Sequence, residues 1–339
     1  MNLPAGKLPP ELLRQFLRGV PAPPPDVVLG AAIGEDAAVL DLGGDELLVV
    51  ASDPITFGSA QLAHDLLAVN ENDLVTAGAR PRWLVTTLLL PEGIDADDAR
   101  RLLDDLAQAA RAHDVALVGG HTEITVGLDR PMAIGCLLGT VPRDGVVRTS
   151  GARVGDAVIL TGGIAIEGTA ILAEEHAPAL RARGVPREVI AAAADLRGSP
   201  GIAVRAAAEV LLQERAVVHA MHDPTEGGVV MALHELAEAA DVGLAIDGDA
   251  LPIYPECRAI CDALGLDPLG LIASGALLAS VDPAAAERAL ARLRNAGIDA
   301  ARIGSVVNRS VGTIFTADHA STPLPTFARD ELARYLESA

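Results

Sequence analysis

The chain has 339 residues, of which 50% are apolar and 2% aromatic, and it carries a formal net charge of -20. This length favours two domains, and the apolar content excludes an intrinsically disordered chain. The acidic charge argues against binding to nucleic-acid phosphates or to an anionic membrane surface, and no apolar run is long enough to span a bilayer. We therefore expect neither a nucleic-acid partner nor a membrane partner.

Strands and helices alternate along the first half of the sequence. Short β-branched runs predict strands, whereas helical spacing of apolar residues predicts helices, one of them with Asp95 as its N-cap. In chain order, the predicted elements are a strand at 46–51, a helix at 60–79, a strand at 83–89, a helix at 94–113 and strands at 115–118 and 132–141. These lengths predict a sheet that helices cover on one face.

The polar, glycine-containing segment 149–156 marks the predicted boundary between a first domain, 1–150, and a second domain, 151–339. Beyond it, strand and helix patterns alternate again. The predicted strands lie at 157–161, 216–221, 242–246, 276–281, 301–307 and 312–315. One predicted helix begins near 166. The others lie at 187–212, with a break at 199–201, and at 226–240, 255–264 and 283–296.

Three cysteines, Cys136, Cys257 and Cys261, are too few for a disulfide framework. Cys257 and Cys261 are four residues apart, but no second pair completes a zinc site. The N-terminus also lacks the basic and then apolar pattern of a secretion signal. We expect the cysteines to be small packing residues in a reduced, cytoplasmic protein.

Two carboxylates lie beside predicted strands. Asp36 follows Gly34 in a tight turn, and Asp53 follows the strand 46–51 and precedes Pro54, which favours an extended backbone. Carboxylates in such places are good ligands for hard cations, and two of them could share one ion. An Asx-turn or a cap is the alternative interpretation of either residue.

Polar residues also interrupt the predicted helix 60–79. Asn72 and Asp73 stand in this otherwise apolar segment. If they face the core they need a partner, which a metal or a ligand hydroxyl would supply, and if they face water they need nothing. Because an unpaired buried carboxylate is costly, the pattern favours a functional role.

Two glycine pairs follow predicted strands beside polar residues. The segment 119–123 is predicted to be a turn that cradles a phosphate, or else a plain strand-to-loop transition. The segment 222–228 repeats the pattern, with a helix predicted to begin at Thr225 or Glu226 under a cap from Asp223 or Thr225. A third turn that suits an anion precedes a helix at Gly162 and Gly163, with 167–169 following, and it matches neither the Walker A nor the dinucleotide-binding fingerprint, which disfavours those folds.

Lys7 is the single lysine among 26 basic residues, the others being arginine. Arginine does not replace the compact lysine charge well at a phosphate. We predict that Lys7 reaches a nucleotide phosphate or the acceptor. A solvated N-terminal tail is the alternative.

Taken in order, several motifs resemble the AIR synthase superfamily, and within it the HypE hydrogenase-maturation branch. They are Gly-Glu-Asp-Ala-Ala-Val at 34–39, Ser-Asp-Pro-Ile-Thr at 52–56, Val-Asn-Glu-Asn-Asp-Leu at 69–74, Gly-Gly-His-Thr-Glu at 119–123 and Asp-Pro-Thr-Glu-Gly-Gly at 223–228. Segments 150–156 and 264–269 also look like that branch. The resemblance covers nearly the whole chain.

The resemblance implies a PurM-like, two-domain α+β architecture: an N-terminal α+β domain that dimerises through its sheet and a C-terminal α/β domain. It implies that ATP lies in a groove between the domains, together with Mg²⁺. By motif match, the metal ligands are Asp36, Asp53 and Asp73. The nucleotide-binding residues are Asn72, Gly119, Gly120, Thr122, Glu123, Gly227 and Gly228. Lys7, His121 and Asp223 form the predicted catalytic set.

Two positions depart from the HypE pattern. HypE proteins resemble one another in a C-terminal cysteine, whereas no cysteine follows Cys261 here, and His121 stands where many of them have Asp. From the resemblance, the predicted function is that of a HypE-like enzyme, which uses ATP to activate an oxygen of an unidentified acceptor. The enzyme is predicted to be a homodimer, and a maturation protein is a candidate partner. A small-molecule kinase of the thiamine-monophosphate kinase type and a non-catalytic, nucleotide-binding assembly factor are the alternatives.

Overall fold

The computed structural model describes residues 3, 5–56 and 61–337, which form two compact units. The N-terminal unit comprises Pro23–Gly30 and Asp36–Val146, and the C-terminal unit comprises Met1–Ala22, Ala31–Glu35 and Val147–Ala339. The units thus differ from a simple cut at residue 150, because 1–22 and 31–35 cluster with the second half. The division into domains 1–150 and 151–339 stays a prediction.

Helices and strands are numbered here in chain order. The helices are α1 Pro10–Gly19, α2 Leu62–Thr76, α3 Ala96–Ala112, α4 Ile166–Glu175, α5 Ala177–Ala182, α6 Arg187–Asp195, α7 Arg205–Leu212, α8 Gly228–Ala239, α9 Pro255–Leu264, α10 Ala286–Asn295 and α11 Glu331–Leu336. The strands are β1 Val27–Leu29, β2 Ala38–Leu40, β3 Glu46–Ala51, β4 Pro54–Ile55, β5 Arg80–Pro91, β6 Ala116–Thr125, β7 Met132–Pro142, β8 Ala157–Thr161, β9 Val218–His222, β10 Gly243–Asp247, β11 Leu277–Val281, β12 Ala300–Val307, β13 Ile314–Ala317 and β14 Ala320–Pro323.

The N-terminal unit is a sheet with the strand order β1-β2-β3-β7-β5-β6, and β4 pairs with β7. Its pairings are antiparallel except for β5 with β6, which run parallel. Burial alternates along β3 and β7 with the period of two that a strand dictates. Helix α2 packs on this sheet and α3 packs on α2, so the helices cover one face, as predicted.

Strand β6 is the edge of this sheet, and its residues are exposed or half-buried. The predicted strand at 115–118 was too short, because β6 continues through Gly119 and Gly120 to Thr125. A Cβ on Gly120 would lie 2.1 Å from the carbonyl oxygen of Thr86 on β5. The glycine therefore permits close pairing with β5 rather than ending the strand, and the predicted turn at 119–123 is wrong.

The predicted helix 60–79 corresponds to α2, which ends at Thr76. Position 60 lies outside the described residues. The predicted helix 94–113 corresponds to α3, and its N-cap is confirmed because the Asp95 carboxylate accepts a hydrogen bond from the backbone of Asp97 at 2.7 Å.

The C-terminal unit contains a second sheet, in the order β14-β13-β10-β12-β8-β11-β9. Strands β8 and β11 are buried along their whole length, which is typical of central strands covered on both faces. One core cluster lies between the sheet and α8, where Leu233 and Leu236 pack with Leu244 and Leu278. The sheet therefore fixes the loop between β9 and α8, which carries predicted site residues.

Helix α1 is part of this unit and has no buried residue, but Arg14 holds it to α8 through two hydrogen bonds to Glu238, of 2.7 and 2.6 Å. Neither α1 nor α11 was predicted. In the described part of the chain, no helix is long and apolar enough to cross a membrane.

Candidate functional site

Helix α2 is the centre of the candidate site in the N-terminal unit. It contacts both the sheet and α3 and is buried along nearly its whole length, including its polar residues. Asn70 and Asn72 are 0% exposed and Asp73 is 6% exposed. The question that the sequence left open is thus answered in favour of the core, where such groups are retained only if they are bonded.

Asn70 fixes the segment that follows β3. Its side-chain oxygen accepts a hydrogen bond from the backbone of Asp53 at 3.0 Å, and its nitrogen donates to the carbonyl oxygens of Asp53 at 3.2 Å and Leu66 at 2.9 Å. The amide of Gly135 on β7 also donates to the Asp53 carbonyl, at 2.9 Å. The backbone that carries the Asp53 carboxylate is therefore held on both sides.

Thr76 makes the matching connection at the other end of α2. Its hydroxyl lies 3.4 Å from a carboxylate oxygen of Asp36 and 2.8 Å from the carbonyl oxygen of Asp73. On a helix, Asp73 lies between Asn70 and Thr76 in angle and in height. The structure thus places the backbone of Asp53 and the carboxylate of Asp36 beside α2, the helix that carries Asp73.

This donor set suits a hard cation. Carboxylate oxygens on a rigid, largely buried frame are the ligands that Mg²⁺ prefers, and Mg²⁺ in nucleotide sites usually takes one or two of them together with phosphate oxygens. Asn72, next to Asp73 in the sequence, is also buried. The residues present therefore fit a magnesium–nucleotide site. Sequence reasoning missed Asn70 and Thr76 as the residues that hold this arrangement.

The second predicted group lies elsewhere in the same sheet. Gly119, Gly120, His121, Thr122 and Glu123 are all exposed on β6, three strand positions from β3, or about 14 Å at the usual strand spacing. The imidazole Nε2 of His121 lies 3.1 Å from a carboxylate oxygen of Glu123. The described residues of one chain do not bring this group to the carboxylates around α2.

In the C-terminal unit, Asp223 directly follows β9 and is 2% exposed. The predicted helix start at Thr225 or Glu226 is wrong, since α8 begins at Gly228 with Gly227 as its N-cap and without a side-chain capping bond. Neither Asp223 nor Thr225 caps it. Gly227 and Gly228 have positive φ angles of 83° and 69°, which glycine adopts without strain.

The capping role falls instead to a residue about a hundred positions away. The carboxylate of Asp330 accepts a hydrogen bond from the amide of Gly227 at 2.6 Å and one from Leu332, at the start of α11, at 2.7 Å. An acidic residue just before a helical pattern is an N-cap signal for α11. The bond to Gly227 has no local signal in the sequence.

Lys7 forms part of a chain of ionic contacts. Its Nζ lies 3.2 Å from one carboxylate oxygen of Glu235 on α8, and the imidazole Nε2 of His222 lies 3.1 Å from the other. Burial raises the pKa of Glu235, but the hydrogen bond to His222 and the charge of Lys7 outweigh it and lower that pKa to about 2. His222 precedes Asp223, so this chain of contacts leads to the start of the 223–228 segment.

Comparisons with known proteins place the chain in a family. The family described as AIR synthase related protein matches through its N-terminal domain at residues 34–141 and through its C-terminal domain at residues 153–316. The chain belongs to the AIR synthase related family. The resemblance to the AIR synthase superfamily that the motifs indicated is thereby confirmed.

Proteins named HypE are among the similar proteins within this family. Carbamoyl dehydratase HypE of Escherichia coli (strain K12) is 31% identical over 289 residues, which cover 81% of this chain and 82% of the relative. The solved structure of hydrogenase maturation protein HypE in complex with ATP has a TM-score of 0.69 at 28% identity and covers 88% of this chain and 90% of its own. A chain of the HypE–HypF complex, at 22% identity and a TM-score of 0.76, covers 93% of this chain and 99% of its own. These structures confirm the predicted PurM-like, two-domain α+β fold.

Proposed function

We propose that this chain is an ATP-dependent enzyme of the HypE type, which activates a carboxamide or acid oxygen of an acceptor by phosphoryl transfer. The observation that carries the proposal is that Asn70 holds the backbone of Asp53, and Thr76 the carboxylate of Asp36, beside the helix that carries Asp73. The relatives named carbamoyl dehydratase and the HypE structure with ATP support it.

Mg²⁺ is the metal that this site would hold, through Asp36, Asp53 and Asp73. When bound, it would neutralise charge on the phosphoryl group in transfer, which is the main catalytic demand of this reaction. The protein's own contribution is position: Asn70 and Thr76 fix the carboxylates, and the exclusion of water from α2 strengthens every ionic contact there. Asn72 would bind the nucleotide beside them.

The C-terminal unit supplies a second set of groups. Gly227 and Gly228, at the start of α8, are the proposed nucleotide-binding residues of this unit, and the amide of Gly227 also donates to Asp330. Asp223 and Lys7 complete the proposed catalytic groups of this unit. His121 with Gly119, Gly120, Thr122 and Glu123 stays a proposed part of the nucleotide and acceptor site.

A thermal-shift measurement tests nucleotide binding. Mg-ATP at about a hundred times its dissociation constant should add roughly 2.7 kcal/mol to the free energy of unfolding. ATP with a chelator should add much less. The absence of any shift with Mg-ATP would contradict the proposal.

Substitutions test the metal site. Asp53→Asn and Asp73→Asn keep the side-chain volume and remove a hard-ligand charge, so each should abolish the Mg-ATP shift and ATP turnover while the protein stays folded. Asp95→Asn is the matched control, because asparagine caps a helix as well as aspartate does. Wild-type affinity in either variant would show that the carboxylate only caps a turn.

The reaction type is tested by the acceptor. ATP hydrolysis should rise with a carboxamide or carboxylate acceptor if the proposal holds. A rise only with a phosphate-ester acceptor such as thiamine monophosphate would support the kinase alternative. Nucleotide binding without any turnover would support the non-catalytic assembly factor.

We propose that the protein is a homodimer that associates through β6. This edge strand offers unpaired backbone groups and exposed apolar side chains, among them Val118 at 56% and Ile124 at 62% exposure, which monomeric proteins usually avoid. Ile124→Lys should therefore give a monomer mass in light scattering, whereas Leu103→Lys, at an exposed apolar position on α3, should not. A monomeric wild type would refute the proposal.

A maturation protein is the proposed macromolecular partner, on the analogy of the HypE–HypF complex. A cytoplasmic location is proposed from the cysteines, which are free in the structure. Co-purification of a tagged chain with its partner from cells would test both points.

Lys7 has two competing roles: contact with a phosphate, or attachment of the N-terminal arm to Glu235. Under the first role, Lys7→Arg and Lys7→Ala should both slow turnover, and they should do so in a Glu235→Gln background as well. Under the second role, Lys7→Ala and Glu235→Gln should have the same effect and no further effect when combined. Wild-type rates in both lysine variants would exclude the first role.

A further inference from the structure

Asp330 joins the start of α11 to the glycine turn before α8. Its side chain is 2% exposed, and each carboxylate oxygen has its own backbone donor. One oxygen accepts from Leu332 and thereby caps α11, while the other accepts from Gly227. A carboxylate that divides its two oxygens in this way fixes two segments in one geometry.

The segment around Asp330 is itself well anchored. The Glu331 carboxylate accepts a hydrogen bond from the amide of Asp267 at 2.9 Å, and Arg334 donates to the carbonyl oxygen of Gly265 at 2.7 Å. These contacts of neighbouring residues hold Asp330 in place independently of its bond to the glycine turn.

The glycine turn meets this same region from the other side. A Cβ on Gly228 would lie 2.4 Å from the carbonyl oxygen of Leu269, and the ring of Phe327 packs against Gly270. Gly227 and Gly228 thus lie between the backbone at 269–270 and the carboxylate of Asp330. Among the described residues, the bond from Gly227 to Asp330 is the side-chain hydrogen bond of this turn that a single substitution can remove.

The ionisation of Asp330 is consistent with this role. Burial raises its pKa to about 6, although hydrogen bonds from the backbone amides of Gly227, Leu332 and Ile272 act in the opposite direction. The side chain is therefore a carboxylate at neutral pH, the form that accepts both bonds.

We propose that Asp330 is a positioning residue, whose carboxylate holds the Gly227–Gly228 turn in the geometry that binds the nucleotide. This inference rests on the proposed function, in which that turn contacts the nucleotide. It goes further by making the segment from Phe327 to Leu336, which contains no proposed ligand, a determinant of nucleotide affinity. A side chain that touches neither nucleotide nor acceptor would then set the geometry of the turn.

Asp330→Ser separates the two bonds. Serine is a good N-cap and keeps the bond to Leu332, but its hydroxyl is too short to reach Gly227 as well. The matched control is Asp95→Ser, which makes the same exchange at the N-cap of α3. Asp330→Asn is the conservative variant, because it keeps one acceptor oxygen and should lie between the wild type and Asp330→Ser.

Two measurements decide the proposal. Amide hydrogen exchange without nucleotide should become about tenfold faster at Gly227 in Asp330→Ser while Leu332 stays protected, as expected for the loss of one charged hydrogen bond. The KM for Mg-ATP should rise about tenfold, with the melting temperature lowered no more than in Asp95→Ser. A merely structural cap would lower the melting temperature and leave KM unchanged.

Unchanged exchange at Gly227 in Asp330→Ser would overturn the proposal, and so would faster exchange with an unchanged KM. If the wild type fails to bind Mg-ATP, the proposed function fails and the nucleotide part of this inference fails with it. The exchange measurement needs no nucleotide, so it would still decide whether Asp330 holds the turn.

Discussion

Two glycine pairs that look alike in the sequence have opposite surroundings in the structure. Gly119 and Gly120 lie within the edge strand β6, and a side chain on Gly119 would meet nothing within 4 Å. Gly227 and Gly228 form the N-terminal turn of α8, and a side chain on either would meet another group at less than 3 Å. The first pair is open to solvent, and the second is enclosed.

The difference shows what a glycine pair after a strand can mean. On β6 the second glycine allows two backbones to pair closely, and the strand continues. Before α8 both glycines adopt positive φ, and a distant carboxylate completes the cap. A motif of this kind predicts close backbone contact, but only the neighbouring elements decide whether the chain turns there.

The largest difference in stability between the two pairs is expected when one glycine of each pair is replaced by alanine. Gly228→Ala places a Cβ against the Leu269 carbonyl in a left-handed backbone conformation, so the free energy of unfolding should fall by about 3 kcal/mol or more. Gly119→Ala should change it by less than about 0.5 kcal/mol. Denaturant unfolding of both variants measures this, and similar losses would remove the distinction between enclosed and open pairs.

The pH dependence of stability should also separate the two regions. The raised pKa of Asp330, about 6 against an ordinary 3.8, means that the protonated acid favours the folded state. Its contribution is full below the unfolded pKa and is lost as pH rises through the folded one. The difference in unfolding free energy between wild type and Asp330→Asn should therefore shift by about 2 kcal/mol, against the wild type, between about pH 4.5 and pH 7.

Glu235 should not account for a change over this pH range. Its pKa is lowered to about 2, so its contribution to stability is lost only as the pH falls further. Denaturant unfolding at the two pH values measures the shift. A pH-independent difference between wild type and Asp330→Asn would show that Asp330 does not titrate differently in the folded protein.

The smallest effect on stability is expected at the polar residues that follow Gly119 and Gly120 on β6. His121 and Glu123 have side chains 63% and 50% exposed, and such a pair contributes little to stability. His121→Ala and Glu123→Gln should each change the free energy of unfolding by less than about 0.5 kcal/mol, at low and high salt alike. Because the proposed dimer would cover β6, stability is measured in the Ile124→Lys monomer, and a larger change there would mean that the pair supports the fold of one chain. A loss of ATP turnover without a stability change would assign the residues to the reaction.

Elements with strong local patterns were predicted well from the sequence. Strand β3 at 46–51 and helix α9 at 255–264 have the predicted bounds, because alternation and helical spacing act over a few residues. The first residue of β8 was equally clear, since it follows a change from polar to apolar sequence, and the first residue of α4 closely follows a Gly-Gly turn.

The rest depends on contacts between distant residues. The length of β6 follows from its pairing with β5, and the start of α8 follows from a hydrogen bond across 103 positions. Likewise, the sequence identified Asp53 and Asp73, but Asn70 as the support of Asp53 became visible only once α2 was placed on the sheet. Local propensity cannot supply these facts, because tertiary pairing overrides it.

The contact between Lys7 and Glu235 also gives the protein a built-in reporter group. Because Lys7 is the single lysine, an amine-directed acylating reagent meets one side-chain target, and that target is 38% exposed. Acylation removes the positive charge, so the reaction competes directly with the ion pair. The yield at this one position, read by peptide mass spectrometry, would report how firmly the N-terminal arm is attached to α8, without any engineered label.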